Sequence, residues 1–239
     1  VIAALLLAAT ASPTSVRAEP VEAPAAARAE RSPSTGSGRT ELGSALDAER
    51  AFAADAQTLG QWTAFRKWAA SDATMFVPQP VNAQVWLKDR TDPAKAIEWW
   101  PTASYVSCDG SLAVNTGGWK RPDGSVGYFS TVWQRQPDGG WKWIVDGRDD
   151  LKVGRQHPGE AKIVSAYCGN KGSVRVVAGV MTIAGPPKPG IKSAMGGSRD
   201  DTVTWLWVVR SNGDRRFMAS YWDGRAMVDA LDDKIAAPK

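Results

Sequence analysis

One histidine and two cysteines leave proton transfer and metal binding in this chain largely to carboxylates and tyrosines, and that shortage is the first constraint on the chemistry. The single histidine, His157, lies in a Gly/Pro-rich linker, and no CxxC spacing exists, so no metal-ligand set forms. The acid/base residues that remain in the aromatic part of the chain are Asp55, Asp72 and Asp146, with Tyr105 and Tyr128 as hydroxyl donors. Asp55 falls on the wet face of a helix, and Asp72 precedes a strand where it would cap or turn. Asp146 is the candidate base, since alternation places it on one strand face with Lys142 and Ile144. A carboxylate enclosed in an apolar site has its pKa raised and can move a proton near neutrality, although a hydrogen-bonded structural carboxylate is the commoner fate. Binding chemistry is better represented. Nine Trp lie between residues 62 and 143, and indole offers a large apolar face with one N–H donor, suited to flat or cyclic organic molecules. Core packing or a subunit interface would use the same residues.

The elements that must position these groups are legible. Asp109-Gly110, Asp123-Gly124 and Asp138-Gly139 mark turns, because Gly accepts φ > 0. Between them Ala103 to Cys108, Ser111 to Trp119, Ser125 to Arg135 and Trp141 to Asp146 read as a four-stranded antiparallel meander. Upstream, Glu41 to Leu59 has helical spacing with Leu42, Ala45, Leu46, Phe52 and Ala56 on one face and Asp47, Glu49, Arg50 and Asp55 on the wet side. Gly60 breaks it, and Gln61 to Ala70 resumes with Trp62, Phe65 and Ala69 on one side. Thr74 to Val77 is a short strand. A third helix is expected from an Asp92 cap and Pro93 through Trp99-Trp100 to Pro101. Helices followed by a meander predict an α+β layer fold.

That order, with Glu49-Arg50-Ala51-Phe52, Ala69-Ala70-Ser71-Asp72-Ala73, Phe129 to Arg135 and Asp138-Gly139-Gly140-Trp141-Lys142-Trp143-Ile144-Val145-Asp146, resembles the NTF2-like (cystatin-like cone) superfamily, in its SnoaL-like/DUF4440 branch. The resemblance covers residues 40–152. It implies helices closing over a curved antiparallel sheet around a conical pocket. The pocket lining expected from it is Trp62, Phe65, Trp99, Tyr128 and Trp133, with Asp146 as the carboxylate. Alternation allows only one of Tyr128 and Trp133 on the inner face unless a bulge intervenes. Enzymes of the superfamily use Asp, His and Tyr, but this domain has no histidine, and Val145-Asp146-Gly147 stands where relatives often carry one. Histidine-based mechanisms are therefore excluded. Three readings follow: a binder of a small apolar or cyclic molecule, a proton-transfer isomerase, cyclase or dehydratase using Asp146 with Tyr128 or Tyr105, and an interaction module.

Residues 153–160 read as a linker and 161–226 as a β-rich extension, with strands over Lys162 to Tyr167, Val174 to Val180, Thr202 to Arg210 and Arg216 to Trp222. A mobile loop is expected at 185–199 and a tail at 227–239. The extension could dock a partner or glycan through Trp205, Trp207 and Trp222, although alternation sets Trp205 and Trp207 beside Val203 and Val209, which favours burial. The strand from Val126 to Arg135 is apolar on both faces, with Tyr128 and Val132 on one and Phe129 and Trp133 on the other, which predicts a homodimer.

The net charge of +4 is scattered rather than clustered, so nucleic acid and membrane surfaces are not expected partners. Gly117-Gly118 and Gly196-Gly197 lack the strand-to-helix context of a phosphate loop, no GxSxG elbow occurs, and no cofactor is called for. Residues 1–18 read as a signal-like apolar segment, truncated at its start, too short for a membrane span and followed by small-residue cleavage patterns. Residues 19–39 read as a disordered linker. A secreted or periplasmic location is expected, and there Cys108 and Cys168 could form one disulfide or stay apart.

Overall fold

The computed structural model describes residues 43–169 and 189–237. The apolar start, the segment 19–39, the strand expected over Val174 to Val180 and the first part of the expected loop 185–199 lie outside the described residues. Among the described residues no helix is long and apolar enough to cross a membrane.

Helix α1 (Ala45–Leu59) starts at Ser44, whose hydroxyl accepts from Asp47 N at 3.1 Å, and stops at Gly60, which takes φ 102°. Helix α2 (Gln61–Trp68) begins at once. Its free N-terminal amides are taken by a residue thirty positions away: Asp92 Oδ1 accepts from Trp62 N and Thr63 N, and Asp92 Oδ2 accepts from Thr63 Oγ1 at 2.6 Å. Burial works against the Asp92 carboxylate, yet the bonds from Thr63 and Trp62 hold it below the usual range. The expected helix over 92–101 is therefore corrected. Asp92 caps α2, the stretch to Ile97 is irregular, and Trp99, Trp100 and Pro101 belong to a strand.

Strands β1 (Ala69–Phe76) and β2 (Pro80–Asn82) form a hairpin, and Asn82 caps the short helix α3 (Ala83–Leu87). The meander follows as β3 (Glu98–Val106), β4 (Leu112–Lys120), β5 (Val126–Arg135) and β6 (Trp141–Leu151). Strand β7 (Lys162–Ser165) lies parallel to β3 at the edge, and β1 lies parallel to β6, giving the order β2-β1-β6-β5-β4-β3-β7. Two of the meander's turns share one form. Arg121 N bonds Ser125 O, Gln136 N bonds Gly140 O, and only the glycines, Gly124 and Gly139, carry positive φ. The aspartates contribute side chains instead: Asp123 Oδ1 accepts from Ser125 N, and Asp138 Oδ1 from Gly140 N.

A second antiparallel sheet, ordered β11-β10-β9-β8, comprises β8 (Lys192–Gly197), β9 (Val203–Val209), β10 (Arg215–Trp222) and β11 (Met227–Ile235). Two expectations fail here. The loop assigned to 185–199 contains β8, because Lys192 to Gly197 pairs along β9. The tail assigned to 227–239 contains β11, because Met227 to Ile235 pairs along the whole of β10 and hides that strand's edge.

The result is three layers. Phe52, Phe65, Trp68, Met75, Trp133 and Trp143 fill the space between the helices and the inner face of the first sheet. Leu112, Val114, Val132 and Val145 pack from its outer face against Val203, Trp207, Val209 and Phe217 of the second sheet. The β5 strand is buried on both faces, as its pattern requires, but the chain's own second sheet supplies the cover. The apolar outer face of β5 therefore does not require a second copy to cover it. Trp207, expected either as core or as a sugar platform, is buried against Phe76 at 5.4 Å. Cys108 and Cys168 are joined in a disulfide, with Cα atoms 5.3 Å apart.

Candidate functional site

The inner face of the cone is set by the register of β4, β5 and β6. Trp119 faces Gly127 across the pair, and Phe129 faces Gly117. Both glycines are there because the rings lie on them: a Cβ at Gly127 would stand 2.2 Å from Trp119 Cζ2, and one at Gly117 would stand 2.5 Å from Phe129 Cε1. The rings therefore lie low over the sheet and narrow the cone from below.

A bulge decides which part of β6 joins them. Trp133 pairs with Trp143 and Val132 with Val145, so Ile144 is the extra residue. On the turn side of it, Trp141 and Trp143 enter the core under the helices. Beyond it, Asp146 opposite Thr131 and Arg148 opposite Phe129 take the inner face. Regular alternation would have turned one pair away. The expected face shared by Lys142, Ile144 and Asp146 is thus corrected: the bulge puts Asp146 with Trp141 and Trp143, while Lys142 donates to Lys67 O.

Glu49, Phe52, Phe65, Trp99, Trp119 and Phe129 surround a cavity that Thr131, Asp146 and Arg148 also border. Its volume is about 30 Å³, room for one or two water molecules. Side chains nearly fill the cone.

Two carboxyl groups are enclosed there. Glu49 is 1% exposed; its Oε1 accepts from Trp99 Nε1 at 2.9 Å and its Oε2 from Trp133 Nε1 at 2.7 Å. Burial pushes the Glu49 carboxyl up to about 7, the indole bonds oppose that, and the nearby Asp146 charge adds to it. Asp146 accepts from Thr131 Oγ1 at 3.0 Å, its one hydrogen bond among the described residues. Burial pushes Asp146 up to about 6 against the pull of Arg148 and Thr131. The Arg148 guanidinium makes no hydrogen bond or ion pair among the described residues, and burial lowers its pKa.

Of the residues expected at the site, Phe65, Trp99 and Asp146 border the cavity. Trp133 lies just behind it, wholly buried and bonded to Glu49. Trp62 does not reach it; its ring packs on Phe65 at 5.5 Å and on Trp86 at 5.4 Å. Tyr128 is on the opposite face of β5 from Phe129 and Trp133, beneath Arg155 at 4.8 Å, with burial holding its hydroxyl well above the usual phenol range. Tyr105 packs against Tyr221 at 5.8 Å on that same outer side. The expected Asp146–Tyr pair is therefore corrected: the hydroxyl beside Asp146 is Thr131. Asp55 receives Lys67 Nζ and Trp68 Nε1, each at 2.6 Å, and Asp72 is exposed on β1. His157 stacks on Trp100 at 5.6 Å, away from the cone. Among the described residues no three His, Cys, Asp or Glu side chains converge as a metal site.

Glu49 is the residue that sequence reasoning missed, having been set on the wet face of α1. The signal was in the spacing: Ala45, Glu49, Phe52 and Ala56 follow the four- and three-residue steps of a buried stripe. Arg148, Trp119 and Phe129 were missed because the bulge and the glycine-backed rings are not visible as period.

No family model and no curated protein matches the chain. Solved structures are similar to part of the chain, each at low identity. A candidate ketosteroid isomerase from Parabacteroides distasonis is 17% identical, with 48% of this chain and 94% of that one covered at a TM-score of 0.40. Another from Shewanella frigidimarina is 16% identical over 45% and 97% at 0.35. An NTF2-like superfamily protein from Salmonella enterica is 15% identical over 48% and 93%, also at 0.35.

Proposed function

We propose that this chain binds a small organic molecule at the inner face of the cone. A flat apolar body would pack among Phe52, Phe65, Trp99, Trp119 and Phe129, and a polar group would stand between Asp146 and Arg148. The observation that carries the reading is that pair: a buried carboxyl with a single hydrogen bond and a guanidinium with none, among the described residues, bordering one aromatic cavity. Asp146 is 8% exposed and Arg148 half-buried, so water can reach both, and an occupant that donates to Asp146 and accepts from Arg148 would take the place of that water. At about 30 Å³, the cavity takes an organic occupant only if Trp99, Trp119 or Phe129 turns aside. Tryptophan emission and melting temperature, followed against flat cyclic acids, phenols and steroid-like compounds, test this. A binder should lose at least about tenfold in affinity in Asp146→Asn and in Arg148→Met. If nothing in a broad panel moves either signal, the binding reading is lost.

A second reading, proton transfer without histidine, is favoured by one observation. Glu49 at about 7 and Asp146 at about 6 border the same cavity, so one can hold a proton while the other accepts one near neutrality. Exchange of the acidic C–H of a bound cyclic ketone with deuterated solvent, present in the wild type and absent in Asp146→Asn, is the expected result. No exchange in the wild type would remove it. We further infer export to an oxidising compartment, supported by the Cys108–Cys168 bond; free thiols on both residues in freshly isolated protein would speak against it.

A further inference from the structure

A recess of about 450 Å³ opens on the surface beside the cone, within the size range of small-molecule sites. It is bounded by the end of α1 at Gln57 and Gly60, by the irregular stretch from Pro93 to Ala96, and by the ends of β3 and β4 with Pro122 behind. One residue of thickness separates it from the inner cavity: Ala96 and Glu98 border the recess, whereas Ile97 and Trp99 border the cavity. That partition is pinned to the helices. Gln57 Nε2 donates to Ile97 O at 2.8 Å, and Ile97 N donates to Gln61 Oε1 at 3.0 Å.

The charges around the recess are unbalanced. Lys95, Lys120 and Arg121 border it, against a single bordering carboxylate, Glu98, which stands opposite Lys120 in the β3–β4 register. Lys95 and Lys120 make no ion pair or side-chain hydrogen bond among the described residues. Arg121 is held in place, its guanidinium 4.2 Å over the Trp119 ring and its Nη1 3.1 Å from Ser125 Oγ. Its partner, Asp150, is 73% exposed at the side chain and contributes little there. Arg148, across the partition, feels the Arg121 charge as repulsion. Three cations facing one recess on a fixed frame attract a counter-charge into it, and a planar guanidinium flanked by ammonium groups is suited to carboxylate or phosphate oxygens.

We propose that this recess binds a small oxyanion, a carboxylate or a phosphate. The inference goes beyond the cavity reading and does not need it. Calorimetric titration of the full chain at low ionic strength with inorganic pyrophosphate, and separately with citrate, tests it. One-to-one binding of at least one probe is expected, and the tighter of the two identifies the oxyanion. Affinity should fall at least about tenfold in the Lys95→Gln/Lys120→Gln double variant, and also on raising the salt. Arg121→Lys, which keeps the charge but loses the fork, should weaken binding by a smaller factor. Asp146→Asn should bind the probe as the wild type does, which separates this site from the cavity. Absence of binding by both probes, or wild-type affinity in a folded double variant, would overturn the proposal.

Discussion

A carboxyl group enclosed on α1 between two indoles ties the stability of this protein to pH. Glu49 is raised from an ordinary value of 4.5 to about 7, so its folded state favours the protonated form. The stability it contributes is complete below 4.5 and is lost as pH climbs through 7, an effect of roughly 3 kcal/mol at most. Asp146, raised to about 6, acts with the same sign. Asp92, Asp123, Asp214, Asp223 and Asp232 are lowered and act the other way, losing their contributions as pH falls through their folded values. The melting temperature should therefore peak on the acid side of neutrality and decline toward pH 8. In Glu49→Gln that decline should flatten. The amide presents one N–H group to an indole that wants an acceptor, so the variant should be weaker than wild type by about 1–2 kcal/mol at pH 5, with the gap closing or reversing by pH 8. Thermal melts across that range check the sign. A parallel pair of curves would remove Glu49 as the source.

At the scale of elements, what the chain's periodicity shows and what it hides divide cleanly. Turn glycines, the apolar stripe of α2 and the alternation of β4 and β5 are local, and they place the meander where it is found. The cap of α2 by Asp92 is not local, since its donors precede it by about thirty residues, and the sequence around Asp92-Pro93 imitates a helix start. Asp92→Ala should cost about 1–2 kcal/mol, measured by denaturant unfolding, whereas loss of a cap on a helix over 92–101 would leave α2 untouched. Far-UV circular dichroism of a Gln61–Trp68 contact variant such as Thr63→Val should move in the same direction. The bulge at Ile144 is equally invisible to period counting, because it needs the partner strand to define it. The glycines behind the two rings are a further case: a Cβ at Gly127 would also meet Asp149 O at 2.2 Å. Gly127→Ala should destabilise by about 1–3 kcal/mol and shift tryptophan emission through Trp119. An unchanged spectrum and stability would show that the ring does not lie there.

For the molecule as a whole, the second sheet and the disulfide act on the same join. Cys108 N also donates to Thr202 Oγ1 at 2.9 Å, and Asp109 N to Asp200 Oδ2 at 2.8 Å, so the β3–β4 turn grips the β8–β9 turn. Reduction opens a loop of 60 residues, for which chain entropy gives about 4 kcal/mol; melts with and without reductant should differ accordingly, and equal midpoints would make the bond energetically idle. Ending the chain after residue 160 would uncover Leu112, Val114, Val132 and Val145 together, and the shortened protein should aggregate or self-associate. The cover on that face has a further consequence. A face closed by a second copy gains stability with protein concentration by mass action. Here the covering sheet follows β7 in the same chain, beyond the disulfide at Cys168, so its local concentration is set by that covalent connection rather than by the solution. The melting midpoint should accordingly stay the same across a hundredfold dilution, and the cone should keep its shape in a cell that makes very little of this protein.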